Sequence, residues 1–283
     1  MNISSYYDRS SELTMTHPWY REQVERYIAG ALASDAYYDN TSKKLISRNQ
    51  QCQAQIIQKQ PGVIAGLDEV IWLLKRENIS VTLGKKAVLL KLSGNARSIL
   101  RCERTVLNTL QRLSGIATLT KQCVQMVQDK VKIAATRKTA WGGLDKKAVS
   151  LGGGLTHRLH LGDGIMVKDN HLALLDHASL KKANFGKQLC ELEIDSIAQL
   201  KRAVVQYPQF QILLLDNFSP NKLLYAVHWL AKHKLRNKYI LEASGNINLT
   251  NIKIYAKTGV DVISMGFLTH SVKALDISLD IIP

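Results

Sequence analysis

The chain has 283 residues, 46% hydrophobic and 22% charged, enough for one large domain or two moderate ones around a buried core. Its formal net charge of +15 points to anionic partners, but the cations are scattered, which disfavours a dedicated nucleic-acid arm and favours an anion-binding pocket. No apolar run reaches the roughly 18 residues that cross a bilayer, and the N-terminus lacks a basic-then-apolar secretion signal, so a cytoplasmic protein is expected.

In chain order, residues 1–15 are polar and read as a loose tail. Thr16-His17-Pro18 followed by Glu22 has the form of a helix start, and an amphipathic helix is expected to about residue 34. Residues 35–47 carry no assignable pattern. Cys52, Ala54 and Ile56 alternate with Gln51, Gln53 and Gln55, the period of a half-exposed strand. Pro61-Gly62 ends it, Gly66 leads into a helix over 67–77, and 79–92 predicts two strands around Gly84-Lys85-Lys86. From 95 to 129 the pattern is helical, with an interruption expected near Ser114-Gly115. Arg97, Arg101, Arg104 and Asn108 fall on one face of that helix and read as a solvated basic face. The four cysteines are widely separated with no Cys-x-x-Cys pair, so neither a zinc site nor a redox motif is expected.

Beyond residue 130 short apolar runs (131–135, 164–167, 188–194, 211–215, 239–243 and 260–265) alternate with helical stretches, clearest at 196–206, 220–234 and 249–257. Such alternation means βαβ units and a parallel sheet; without a Gly-x-Gly-x-x-Gly turn, a barrel is favoured over a dinucleotide-binding sheet. Each run ends in site-like residues: Arg137-Lys138, Lys168-Asp169-Asn170, Glu191 and Glu193, Asp216-Asn217, Ser244-Gly245 and Gly266. In a barrel these ends meet on one face.

The densest stretch, 134–172, gathers Arg137, Lys138, His157, Arg158 and Lys168 around glycines 152–154. Arginine grips planar carboxylates and phosphates through paired hydrogen bonds, and lysine supplies a mobile point charge. Glu193 and Asp216, carboxylates at strand ends facing those cations, are what a Mg²⁺ site sharing substrate phosphates needs, and salt bridges to neighbouring lysines are the equal alternative. His157 and His160 lack a third nearby ligand, so a histidine metal centre is not favoured. No Gly-x-Ser-x-Gly elbow or Walker A loop is present.

Ordered motifs identify a resemblance to the quinolinate phosphoribosyltransferase family. They include Pro61-Gly-Val-Ile-Ala-Gly66, Glu103-Arg-Thr-Val-Leu-Asn108, Thr136-Arg-Lys-Thr139, Gly152-Gly-Gly-Leu-Thr-His-Arg158 and Lys168-Asp-Asn-His171. Glu191-Leu-Glu-Ile-Asp195, Leu215-Asp-Asn217, Glu242-Ala-Ser-Gly245 and the segment from Asp261 to Ser271 follow. The resemblance implies an α/β fold: an N-terminal α/β sandwich domain (1–130), to which the final segment can return, and a C-terminal incomplete, open α/β barrel (131–283). It implies transfer of phosphoribosyl from phosphoribosyl pyrophosphate (PRPP) to quinolinate with decarboxylation, giving nicotinate mononucleotide in NAD biosynthesis. By the same resemblance Arg137, His157, Arg158 and Lys168 surround the quinolinate carboxylates, joined by Arg104 of the partner subunit of a homodimer or larger homo-oligomer. Lys138 and Lys168 contact phosphates, Glu193 and Asp216 hold ribose and Mg²⁺, and Ser244, Gly245, Gly266 and His270 bind the 5′-phosphate end. The chain departs from the family pattern at Ala140-Trp141, where Pro-Gly is usual, and at Asn246, where a second glycine is usual. A molybdate-transport-associated relative acting on another acid, and a basic nucleic-acid-binding protein, are the competing readings.

Overall fold

The computed structural model describes residues 4–186 and 189–282. In chain order its strands are β1 (Gln51–Gln58), β2 (Ser80–Leu83), β3 (Val88–Asn95), β4 (Lys132–Ala135), β5 (Ile165–Val167), β6 (Cys190–Ile194), β7 (Ile212–Asp216), β8 (Ile240–Ser244), β9 (Val262–Met265) and β10 (Ile277–Ile282). They form two sheets, one in each of two compact units.

One unit takes Ser11–Leu119, Trp141–Gly152 and the chain from Val272 onward. Its sheet, ordered β10-β1-β3-β2, is antiparallel throughout. The alternation in β1 is that of a half-exposed strand, with Ala54 and Ile56 buried and Gln53 exposed. The helix Leu67–Arg76 buries Val70, Leu73 and Leu74. Residues 18–35 are helical but carry a π-helical stretch, Glu25–Ala29, in the middle. The unassigned 35–47 segment holds a short helix, Asn40–Leu45, whose N-cap Asp39 accepts from the Ser42 N–H at 2.8 Å.

Two expectations for this unit are corrected. The helix Ala96–Val127 runs unbroken through Ser114-Gly115. A Cβ on Gly115 would lie 2.3 Å from the Lys273 carbonyl oxygen, and Ser114 Oγ accepts from the Ala65 N–H at 3.1 Å. The pair is a docking notch for other segments, and the small side chains that looked like a helix break are what lets them approach. Nor is the basic face simply solvated. Arg97 donates to the Ile46 and Lys43 carbonyls, and Arg101 to Glu77 at 2.9 Å.

The other unit takes the chain up to Ser10, Thr120–Ala140 and Gly153–Ser271. Its six parallel strands are ordered β4-β9-β8-β7-β6-β5. Each strand pairs with its successor from β5 to β9, and β9 closes onto β4; only the link between β4 and β5 is missing. That is an open α/β barrel. Helices Ile197–Gln206 and Pro220–Lys232 cover it, each capped by a serine (Ser196 and Ser219). The helix expected over 249–257 shrinks to Ile252–Tyr255. Side chains of Asn248 and Asn251 accept from the backbone N–H groups of Thr250 and Asn248, and this local bonding competes with helix.

The tail reading of residues 1–15 is overturned in its centre. Tyr6 and Tyr7 are buried, in a core cluster with Ala134 and the first residues of three strands, Ile212, Ile240 and Val262. Two tyrosines therefore plug the barrel at the end where its strands begin.

Candidate active site

Side chains of a strand alternate between faces, so Glu191 and Glu193, Leu214 and Asp216, and Glu242 and Ser244 share the barrel interior. At the C-terminal strand ends this interior opens into a cavity of about 520 Å³. Arg137 and Lys138 reach it from the turn after β4, His157 and Arg158 from the loop before β5, and Lys168 from the end of β5. Glu193, Asp216 and Ser244 come from β6, β7 and β8. A second cavity of about 200 Å³ is lined by Ser244, Gly245, Gly266 and His270, and shares Lys138 and Ser264 with the first. Residues spread over more than 130 positions of sequence thus meet at one barrel mouth.

Neighbours of these residues hold them in place. Lys168 Nζ donates to Glu193 Oε2 at 2.9 Å, and its backbone N–H is fixed by His171 Nδ1 at 3.0 Å, which gives the Lys168-Asp-Asn-His171 motif a physical reason. The Lys138 carbonyl accepts from Thr269 Oγ1 at 2.7 Å. Asn217 Nδ2 donates to Asp216 Oδ2 at 2.6 Å. Its Oδ1 also sits where a Cβ on Gly245 would be, 2.1 Å away, so only glycine fits there. Asn246, the departure from a second glycine, has φ of +52°, a left-handed conformation that asparagine tolerates, so the turn keeps a glycine-like backbone. The Ala140-Trp141 departure is likewise accommodated: the Arg112 guanidinium lies 5.5 Å from the Trp141 ring centroid.

The electrostatics favour an anion. Burial, then the like charge of Arg158, lower the pKa of Arg137. On the opposite wall burial, then Glu193, raise the pKa of Asp216. Two crowded carboxylates with free oxygen capacity are a donor set suited to Mg²⁺. Arg104 is not brought in with the others: its side chain is 67% exposed and lies 3.5 Å from Glu103.

Sequence reasoning missed Tyr6, Tyr7 and Glu242 as parts of this site, and flagged Asn217 only as a site-like strand end. Glu242 was legible, since it precedes Ser244 by two residues as Glu191 precedes Glu193; two tyrosines in a polar tail carried no comparable signal. His157 lines the cavity, but both its ring nitrogens are already engaged. Nδ1 accepts from the Arg158 N–H at 2.8 Å, and Nε2 lies 3.3 Å from Glu242 Oε2.

The comparisons agree with this geometry. The chain matches the Quinolinate phosphoribosyl transferase N-terminal domain over residues 39–114 and the C-terminal domain of the same family over 116–280. It is 37% identical over 276 residues to the carboxylating nicotinate-nucleotide pyrophosphorylase of Mycobacterium leprae, covering 90% of this chain and 95% of that one. It is 36% identical over 295 residues to decarboxylating quinolinate phosphoribosyltransferase 1b of Nicotiana tabacum, covering 94% and 83%. The solved structure of the nicotinate-nucleotide pyrophosphorylase from Francisella tularensis superposes with a TM-score of 0.82 at 33% identity, covering 92% of this chain and 96% of that one. With both domains matched and the barrel mouth assembled as described, the chain belongs to the quinolinate phosphoribosyltransferase family.

Proposed function

We propose that this protein transfers the phosphoribosyl group of PRPP to quinolinate and decarboxylates the product, yielding nicotinate mononucleotide, pyrophosphate and CO₂. The observation that carries this reading is the pair of joined cavities. One is walled by Arg137, Arg158, Lys138 and Lys168 against Glu193 and Asp216, and the other is lined by Ser244, Gly245, Gly266 and His270. A planar dicarboxylate fits the guanidinium wall, and a sugar phosphate can run from the carboxylates into the smaller cavity.

Arg137 and Arg158, with His157 behind them, orient the two carboxylates so that the pyridine nitrogen faces C1 of the ribose. Lys138 and Lys168 hold the phosphates, and their charge is placed where pyrophosphate leaves. Glu193 and Asp216 hold the ribose and a Mg²⁺ ion, which when bound would neutralise the leaving pyrophosphate. Once the nitrogen carries the ribosyl group, its positive charge stabilises the electron pair left on the adjacent ring carbon as the carboxylate departs as CO₂, and that carbon then takes a proton from solvent to give nicotinate mononucleotide. The exposed side chain of Arg104 supports a contribution to the site of a partner subunit in a homodimer. Among the described residues no helix is long and apolar enough to cross a membrane.

The test is incubation with PRPP and Mg²⁺ plus either quinolinate or another pyridine carboxylic acid, with nucleotide product read by chromatography. Nicotinate mononucleotide from quinolinate is expected. Product from a different acid, with none from quinolinate, would overturn the substrate and keep the reaction type.

A further inference from the structure

Under the cationic wall lies a buried cluster that the reaction does not use directly. Tyr6 Oη donates to Glu191 Oε2 at 2.9 Å and Tyr7 Oη to Glu242 Oε2 at 2.5 Å. The Tyr7 carbonyl accepts from the His157 N–H at 2.7 Å and from Thr156 Oγ1 at 3.1 Å. Both tyrosine rings stand edge-on to the His157 ring, with centroids 5.6 and 4.8 Å away. Gly164 is bare where Tyr6 passes, since a Cβ there would lie 2.6 Å from the ring. His157 itself has φ of +54°, a strained conformation for a residue of its size, so its placement is imposed by these contacts.

The spacing of His157, Glu191 and Glu242 would suit a metal ion. The hydrogen bonding assigns them otherwise. His157 Nδ1 accepts from the Arg158 N–H, so the ring proton is on Nε2 and points at the carboxylates, leaving no lone pair for a metal there. The carboxylates divide the work. Burial, then the charge of Glu242, raise the pKa of Glu191 well above the usual range. Glu242 is equally buried, but His157 and the hydroxyls of Ser264 and Tyr7 outweigh that and hold it below the usual range.

We propose that Tyr6 and Tyr7 are positioning residues for the pyridine end of the site. Acting through Glu191 and Glu242, their hydroxyls fix the His157 ring, and His157 Nδ1 in turn fixes the backbone of Arg158. Both tyrosines precede the region matched by the family domains, which begins at residue 39. The N-terminus of this chain therefore sets the affinity for the dicarboxylate and leaves that for the sugar phosphate alone. Among the described residues no hydrogen bond joins the two tyrosines to Lys138, Gly245, Gly266 or His270, which line the smaller cavity; Ser264, which lines both cavities, is reached only through Glu242. This inference rests on the functional reading given above.

Tyr6→Phe, Tyr7→Phe and the double variant keep the rings and remove only the hydroxyls. The KM for quinolinate should rise about tenfold in the double variant, as loss of hydrogen bonds to a charged group commonly costs, while the KM for PRPP stays within about twofold. The acid limb of kcat/KM for quinolinate should move to higher pH in Tyr7→Phe. Glu242 there loses a donor that favours its ionised form, while Tyr6, Glu191, His157 and Ser264 still face it. An unchanged quinolinate KM and pH profile in a folded double variant would overturn the proposal. So would an equal rise in both KM values with a lowered melting temperature, the mark of a merely structural role. The wild type, assayed in parallel, separates the two readings. If it turns quinolinate over and the variants match it, only this inference fails; if it is inert toward quinolinate, the functional reading fails and this one with it.

Discussion

Lys168 stands between two kinds of chemistry, paired with Glu193 at 2.9 Å while lining the cavity beside Arg158. Removing the cation takes away the Nζ partner of Glu193 and one of the two cations proposed to hold the phosphates. Lys168→Ala and Arg137→Ala should each lower kcat/KM by about 10²-fold or more, the scale of losing one preorganised electrostatic group, with circular dichroism unchanged. Asp216 carries a pH prediction. Because burial and Glu193 raise its pKa, it takes up a proton while ordinary carboxylates are still ionised, so Mg²⁺-dependent turnover should fall early on acidification. In Glu193→Gln the like charge is gone and Asp216 should titrate lower, read by carbon NMR of its carboxyl. An unchanged midpoint would contradict the assignment.

At the scale of elements, strands were the legible part. The apolar runs beyond residue 130 predicted all six parallel strands, because each is short, apolar and closed by a polar turn. What stayed hidden depends on partners far away in sequence. Ser114-Gly115 read as a helix break because its reason, the Lys273 carbonyl, lies more than 150 residues on. Tyr6 and Tyr7 read as tail because Glu191 and Glu242 are 185 and 235 residues from them. The polar site residues, Asn217 among them, were legible as strand-end motifs, while the tyrosines act on other side chains and leave no periodicity of their own. Gly115→Ala follows from the notch. Its methyl group cannot coexist with the Lys273 carbonyl, so the C-terminal segment must shift, at a cost of about 1–3 kcal/mol in urea unfolding.

For the whole molecule, the charge of +15 is spread along the chain, and at the barrel mouth Arg137, Lys138, Arg158 and Lys168 are balanced by Asp169, Glu193, Asp216 and Glu242. Arg104, with an exposed side chain, makes assembly testable. In a dimer with shared sites, mixed Arg104→Ala and Lys168→Ala subunits form one intact site per heterodimer. Activity should then recover to about a quarter of wild type after equal mixing and exchange. No recovery would place each site within a single chain. The coupling of ribosyl transfer to decarboxylation is the central claim, and carbon-labelled quinolinate tests it most directly. With label in the carboxylate next to the ring nitrogen, labelled CO₂ and nicotinate mononucleotide should appear in equal amounts and only when PRPP is present. Label released without PRPP, or nucleotide formed with the label retained, would contradict it.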